Sequence, residues 1–193
     1  MNFLAHMYLS CDQEDLLIGN FIADFVKNRE VNSYPEGIRR GILLHRRIDS
    51  YTDTHPVVLR SVRRLYAAHS KYASVIVDVF YDHLLAINWE AYSDKRLVDF
   101  AEQMYRKLNK NIGFMPPVLQ KRLPRMVADN WLIRYASFDG VAFTIERMKG
   151  RASKPQLLNE AVKSLIRDYD EFNAEFNLFF PDIIAFVDKA CQD

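Results

Sequence analysis

In Val75-Ile76-Val77-Asp78-Val79-Phe80-Tyr81-Asp82-His83-Leu84-Leu85, two carboxylates four residues apart stand in an otherwise apolar run. On a helix, residues i and i+4 share a face one turn apart, so Asp78 and Asp82 can point at a common place. A carboxylate buried among such neighbours is costly unless something positive or hydrogen-bonding compensates it. Three more pairs have the same spacing: Asn2/His6, Asn20/Asp24 and His45/Asp49. A divalent cation at their meeting point would supply the compensation and carry chemistry as well.

Working outward, apolar residues recur at helical spacing along most of the chain. The pattern predicts a helical segment over Phe3–Leu9 and a helix capped by Asp12 that runs to Phe25. A third opens with Pro35 in its first turn and ends before His55-Pro56. Others cover Val57–Ala68, a Ser70-capped run to Asn88, Lys95–Lys110, Val118–Ser137, Val141–Met148 and Pro155–Phe179, with Pro181 interrupting the last. Only six glycines and seven prolines punctuate 193 residues that are 49% hydrophobic. With no linker or internal repeat, the expectation is an all-α compact multi-helix bundle formed by residues 1–193 as a single domain.

Net charge is +1, which gives no whole-molecule field favouring nucleic acid. No apolar run approaches the roughly 20 residues of a membrane span, and Met1–His6 lacks the features of a signal peptide. Cys11 and Cys191 are too few for a disulfide framework, so a reducing cytoplasm is the expected compartment. Charge is nonetheless uneven. From Lys27 to Arg64 nine Lys and Arg oppose four acids, whereas from Asp168 to Asp193 seven acids oppose one lysine. These are solvated helix faces on the plainer reading, and a surface for an acidic partner or a phosphate on the functional one.

Each polar pair also has a plainer reading. His6 alone is a satisfied core histidine, His45/Asp49 a helical charge pair, and Asn20 a cap or a buried amide. As a set they point to a shared metal, because several buried acids in one fold must protonate or find cations. The pool of candidate ligands is His6, Asp24, His45, Asp49, Asp78 and Asp82. Such a His-and-carboxylate set suits manganese, magnesium, iron or zinc, and the lack of a cysteine cluster argues against a structural zinc site.

Met1-Asn2-Phe3-Leu4-Ala5-His6, Gly19-Asn20-Phe21-Ile22-Ala23-Asp24-Phe25-Val26, His45-Arg46-Arg47-Ile48-Asp49 with Thr52-Asp53, Asp82-His83 and Trp131-Leu132-Ile133-Arg134-Tyr135 occur in this order. Together they resemble the acyl-carrier-protein phosphodiesterase family. That resemblance implies a manganese-dependent hydrolase that removes 4′-phosphopantetheine from holo-acyl carrier protein, and a fold related to the HD-type metal phosphohydrolases. The HD-type ligand order does not carry across residue by residue, because this chain has Asp82-His83 where those enzymes have His-Asp.

For such a reaction, His83 is the expected general acid, and Arg46 or Arg47 the expected clamp on the phosphoryl oxygens. Arg39, Arg40, Arg60, Arg63 and Arg64 would dock the acidic carrier, and Trp131, Arg134 and Tyr135 would line the groove for the arm. The plainer readings are a structural hydrogen bond for His83 and aromatic packing for Trp131 and Tyr135. Two other functions fit the same residues: a metal phosphohydrolase acting on a free nucleotide or another small phosphoester, and a non-catalytic helical module that binds carrier proteins. Oligomeric state is not fixed by the sequence.

Overall fold

The computed structural model describes residues 1–192, which form eleven α-helices joined by tight turns and short 3-10 segments. In chain order these are α1 (Phe3–Tyr8), α2 (Glu14–Ile22), α3 (Glu36–Thr54), α4 (Pro56–His69), α5 (Ala73–Ile87) and α6 (Leu97–Lys110). They continue with α7 (Pro117–Ala128), α8 (Trp131–Arg134), α9 (Phe138–Lys149), α10 (Ala161–Arg167) and α11 (Tyr169–Gln192). The all-α expectation holds: among the described residues there is no strand, and the buried apolar side chains form one continuous core.

The helix bearing the opening sequence, α5, lies against α1, α4, α9 and α11. Ile76, Val77, Phe80, Tyr81, Leu84 and Leu85 are fully buried, as the apolar run requires. Helices α2 and α3 share the most extensive contact in the fold. Two glycines allow it. A Cβ built on Gly41 would lie 2.8 Å from the Cα of Gly19, and one built on Gly19 would lie 2.7 Å from the Cα of Gly41. Only residues without a side chain let the two backbones approach so closely.

Several boundaries differ from the sequence expectation. Asp12 does not cap α2; it and Cys11 take left-handed backbone in the turn after α1, and Gln13 is the N-cap. Asn130, also left-handed, divides the expected Val118–Ser137 helix into α7 and α8. Glu160 does the same between Pro155 and α10. Ser70 ends α4 with positive φ instead of capping α5. Conversely, Pro181 stands inside α11 without ending it. An interior proline costs about 3 kcal/mol, but Phe172, Phe176, Phe179, Phe180, Ile183 and Val187 of α11 are all buried. At roughly 1.5–3 kcal/mol each, their burial outweighs the proline. Cys11 and Cys191 are joined as a single disulfide between the α1–α2 turn and the end of α11.

Candidate metal centre and groove

The close contact of α2 and α3 sets Asn20 against His45, one turn beyond Gly41. Asn20 is buried and its amide is fully used. Its Oδ1 accepts from His6 Nδ1 at 2.8 Å and from His45 Nδ1 at 3.0 Å, and its backbone oxygen lies 2.9 Å from His45 Nδ1. Its Nδ2 donates to the His6 carbonyl and to Ser10 Oγ. The two imidazoles stack, with ring centroids 3.9 Å apart. Because Asn20 accepts at both Nδ1 atoms, the tautomer is fixed and both Nε2 atoms face the Asp49 carboxylate. His6 Nε2 is 3.1 Å from Asp49 Oδ1, and His45 Nε2 is 3.1 Å from Asp49 Oδ2.

His6, His45 and Asp49 thus offer ligand atoms within 4.8 Å of one another, a group able to hold a divalent metal. The donor chemistry fits: two neutral-capable imidazoles oriented through their second nitrogens, and one carboxylate. Burial, then the neighbouring His45, pushes His6 down to about 4. Burial also works against a charged His45, but hydrogen bonds to Asp24 and Asp49 push it up to about 9. Burial disfavours the Asp49 anion as well, yet the hydrogen bond from His45, the facing His6 ring and the Met1 amino group hold its pKa well below the usual carboxylate range. Asp24, in the 3-10 turn Ala23–Phe25, lies 3.2 Å from His45 Nε2, and that contact lowers its pKa.

The remaining candidates are placed differently. Asp78 stands at the rim, 3.1 Å from the α-amino group of Met1, which is also 3.6 Å from Asp49. Asp82, expected among the ligands, instead receives the backbone N–H groups of Asn2, Leu4 and Ala5 at 2.8–3.2 Å. It compensates the N-terminal end of α1, where four amides lack helical partners. His83, expected as the general acid, points the other way. Its Nδ1 donates to the Tyr135 carbonyl at 2.6 Å, and its ring packs between Phe138 and Tyr169.

None of the expected phosphate-clamp and docking residues lines the groove described below or the small pocket beside the histidines. Arg47 lies over the Phe186 ring and shares with Arg40 a separate cavity beside Leu43 and Leu44. No hydrogen bond or ion pair among the described residues ties Arg46 to the histidines. Arg64 is bound to Glu175 of α11 at 2.7 Å, which makes it an interhelical tie and not a free docking charge. Arg60 and Arg63 are exposed on α4 and Arg39 is half-buried on α3; none of these lines the groove described next.

That groove, about 310 Å³ in volume, opens beside the histidines. Met1, Asn2, Asp24 and Asp78 form one end. Trp131, Arg134 and Tyr135, the three residues expected to line it, do so together with Phe143. Arg147 and Arg151 also line it, and the sequence reading overlooked both. The available signal was the run Arg147-Met148-Lys149-Gly150-Arg151, basic without an intervening acid at the end of a short helix.

No helix among the described residues is long and apolar enough to cross a membrane. The sequence model of the family described as acyl carrier protein phosphodiesterase matches residues 1–183. A relative of that name from Photorhabdus laumondii is 31% identical over 185 residues, covering 94% of this chain and 92% of its own. One from Pectobacterium atrosepticum is 31% identical, covering 94% of each chain, and one from Escherichia coli O139:H28 is 31% identical, covering 96% of each. Comparison with solved structures gave no match. With a matching stretch that contains the histidine–aspartate centre and the whole groove, the chain belongs to the acyl carrier protein phosphodiesterase family.

Proposed function

We propose that the protein hydrolyses the phosphodiester joining 4′-phosphopantetheine to the serine of holo-acyl carrier protein, releasing the arm and apo carrier. The observation that carries this reading is the adjoining of a His6–His45–Asp49 cluster and an arm-sized groove in a chain of this family. His6, His45 and Asp49 are the proposed ligands, Asp24 and Asp78 stand by on the groove side, and the proposed metal is Mn²⁺, with Mg²⁺, Fe²⁺ or Zn²⁺ as alternatives. A bound divalent ion would supply Lewis acidity toward a phosphoryl oxygen and make its bound water more acidic.

The chain's own residues do the rest. Asn20 holds both imidazoles in one tautomer and one orientation, so no reorganisation is needed when a substrate arrives. The ionised Asp49 anchors the histidine pair. Phe3, Phe25, Trp131 and Phe143 wall the groove, giving the pantetheine arm apolar contact and keeping bulk water from the diester. Residues 1–193 act as one domain, and the family's proposed kinship with HD-type phosphohydrolases accords with an all-helical bundle that draws its candidate ligands from separate helices. The protein is proposed to work in the cytoplasm, with an acidic carrier as partner. Docking through Arg39, Arg40, Arg60 and Arg63 would act on association rate and be strongly salt-dependent.

The test is mass spectrometry of holo-acyl carrier protein incubated with the enzyme and Mn²⁺. Loss of the arm with an intact serine supports the proposal. An unchanged carrier mass at high enzyme concentration overturns it; full turnover by His45→Ala or Asp49→Ala removes that residue from the site.

A further inference from the structure

In another part of the groove wall the charge is basic. Arg147 lies with its guanidinium carbon 3.3 Å from the centre of the Trp131 ring, and its Nη1 is buried with no hydrogen-bond partner. The indole Nε1 of Trp131 is likewise buried and without a partner. A small adjoining cavity is lined by Arg122, Arg147 and Arg151 among apolar side chains, with no carboxylate in its wall. None of Arg122, Arg134, Arg147 and Arg151 makes an ion pair among the described residues. Burial, then the charges of Arg125, Arg151 and Arg122, lowers the pKa of Arg147. Buried N–H groups are nearly always satisfied, and orphaned ones call for a partner the fold does not supply. Converging guanidiniums that outnumber the nearby acid, Asp129, define the chemistry of that partner: an anion with several acceptor oxygens.

We infer that Arg147, flanked by Arg151 and Arg134, is the oxyanion-binding part of the groove and takes the non-bridging oxygens of a phosphoryl group. The role that the sequence suggests for Arg46 or Arg47 thereby moves to α9. The planar fork of Arg147, held flat by Trp131, can present two parallel N–H donors to two phosphoryl oxygens, and Arg151 adds charge from the next turn of chain. This inference rests on the reading of the groove as a phosphodiester site, and two sources share the chemistry: the diester of the bound substrate and the free phosphomonoester product.

The test separates it from the hydrolase reading by using metal-free protein. EDTA-stripped enzyme is titrated with inorganic phosphate and with 4′-phosphopantetheine at constant ionic strength, with calorimetry and Trp131 fluorescence as readouts. Saturable binding is expected to weaken at least about tenfold in Arg147→Gln and in Arg151→Gln, the loss of one charge-assisted hydrogen bond. Arg147→Lys should fall between, and Arg106→Gln, exposed on α6, should match the wild type. Tighter binding of 4′-phosphopantetheine than of phosphate assigns the site to the arm's own phosphoryl group; equal binding assigns it to phosphate as such. With holo carrier, Arg147→Gln should raise KM and lower kcat together. Turnover with no saturable phosphate binding, or with affinity unchanged in both folded glutamine variants, overturns the anion site and leaves the hydrolase standing. Arginine-dependent phosphate binding without turnover of holo carrier does the reverse.

Discussion

Replacing Gly41 with alanine tests how the α2–α3 contact positions the histidines. The new Cβ would lie 2.8 Å from the Cα of Gly19 and 2.9 Å from the Cα of Leu16. Carbon atoms rest at about 3.5–4.0 Å, so the helices must part by roughly 0.7–1 Å. The bonds that cross this contact cannot follow. His45 Nδ1 to the Asn20 oxygen, now 2.9 Å, would stretch to about 3.6–3.9 Å, beyond hydrogen-bonding distance. Helix propensity alone predicts the opposite sign, because alanine is favoured over an interior glycine by about 0.8–1 kcal/mol. Overpacking against backbone costs about 1–3 kcal/mol, so a net loss of up to about 2 kcal/mol is expected, lowering Tm by up to roughly 8 °C. Freed from its orienting partner, His45 should cost the site about 10–100-fold in Mn²⁺ affinity. Gly113→Ala is the control, since its Cβ meets nothing within 4 Å. Thermal unfolding and Mn²⁺ titration of both variants give the answer. A Gly41→Ala protein as stable as Gly113→Ala, with wild-type Mn²⁺ affinity, would refute the reasoning.

Three other outcomes are expected. Asn20→Ala should lower Mn²⁺ affinity about 10–100-fold while circular dichroism keeps its helical signature, because only the orientation of two ligands is lost. Metal binding should release one proton near pH 7: His6 and Asp49 are already free of theirs, whereas His45, with a pKa of about 9, must lose its own. Affinity should then rise about tenfold per pH unit between pH 6 and 8.5; calorimetry in buffers of different ionisation enthalpy measures the proton, and none released would remove His45 from the ligand set. Burial pushes Asp82 up to about 7 against its three amide donors, whereas an unfolded carboxyl titrates near about 3.9. The folded chain therefore holds a proton that the unfolded chain releases across that window, and stability falls by a few kcal/mol as pH rises through it. Asp82→Asn should flatten the fall, as read from urea unfolding at pH 4 to 7.5.

The helical period was legible because apolar residues recur along nearly every element, and the i,i+4 spacing of His45 and Asp49 does set both on one face of α3. What the spacing could not disclose is what compensates each buried carboxylate. Asp78 and Asp82 share a helix face, yet the turn between them is enough to place one under the N-terminal end of α1 and the other at the groove rim. Asp82 and His83 are adjacent and diverge by about a hundred degrees, so His83 is carried into the packing against α9 and α11. The breaks at Asn130 and Glu160 were hidden for another reason: left-handed residues interrupt a helix without proline or glycine to mark the place.

The buried charges of this fold, taken one by one, separate structure from function. Asp82 has three backbone amides, and Glu175 has both the Arg64 guanidinium and the Ser61 hydroxyl. Such groups are closed accounts of hydrogen bonding, and removing a partner should cost stability and little else. Buried nitrogens without a partner occur at Arg64 Nε and His83 Nε2, outside the groove lining, but two open places adjoin the groove. At one, two histidines and an aspartate crowd together, with His45 able to satisfy Asp49 only by keeping a proton that a metal would displace. At the other, Arg147 and Trp131 keep N–H groups for which the chain offers no acceptor. A cation-seeking cluster beside the groove and an anion-seeking group in its wall are complementary to a single kind of guest, an anionic phosphoester. Replacing a buried unsatisfied polar group by an apolar one is often neutral or stabilising, so fold stability alone does not explain Arg147 and Trp131; their place in the groove beside the histidine–aspartate cluster, and not unsatisfied polarity alone, which His83 and Arg64 share, picks out the site.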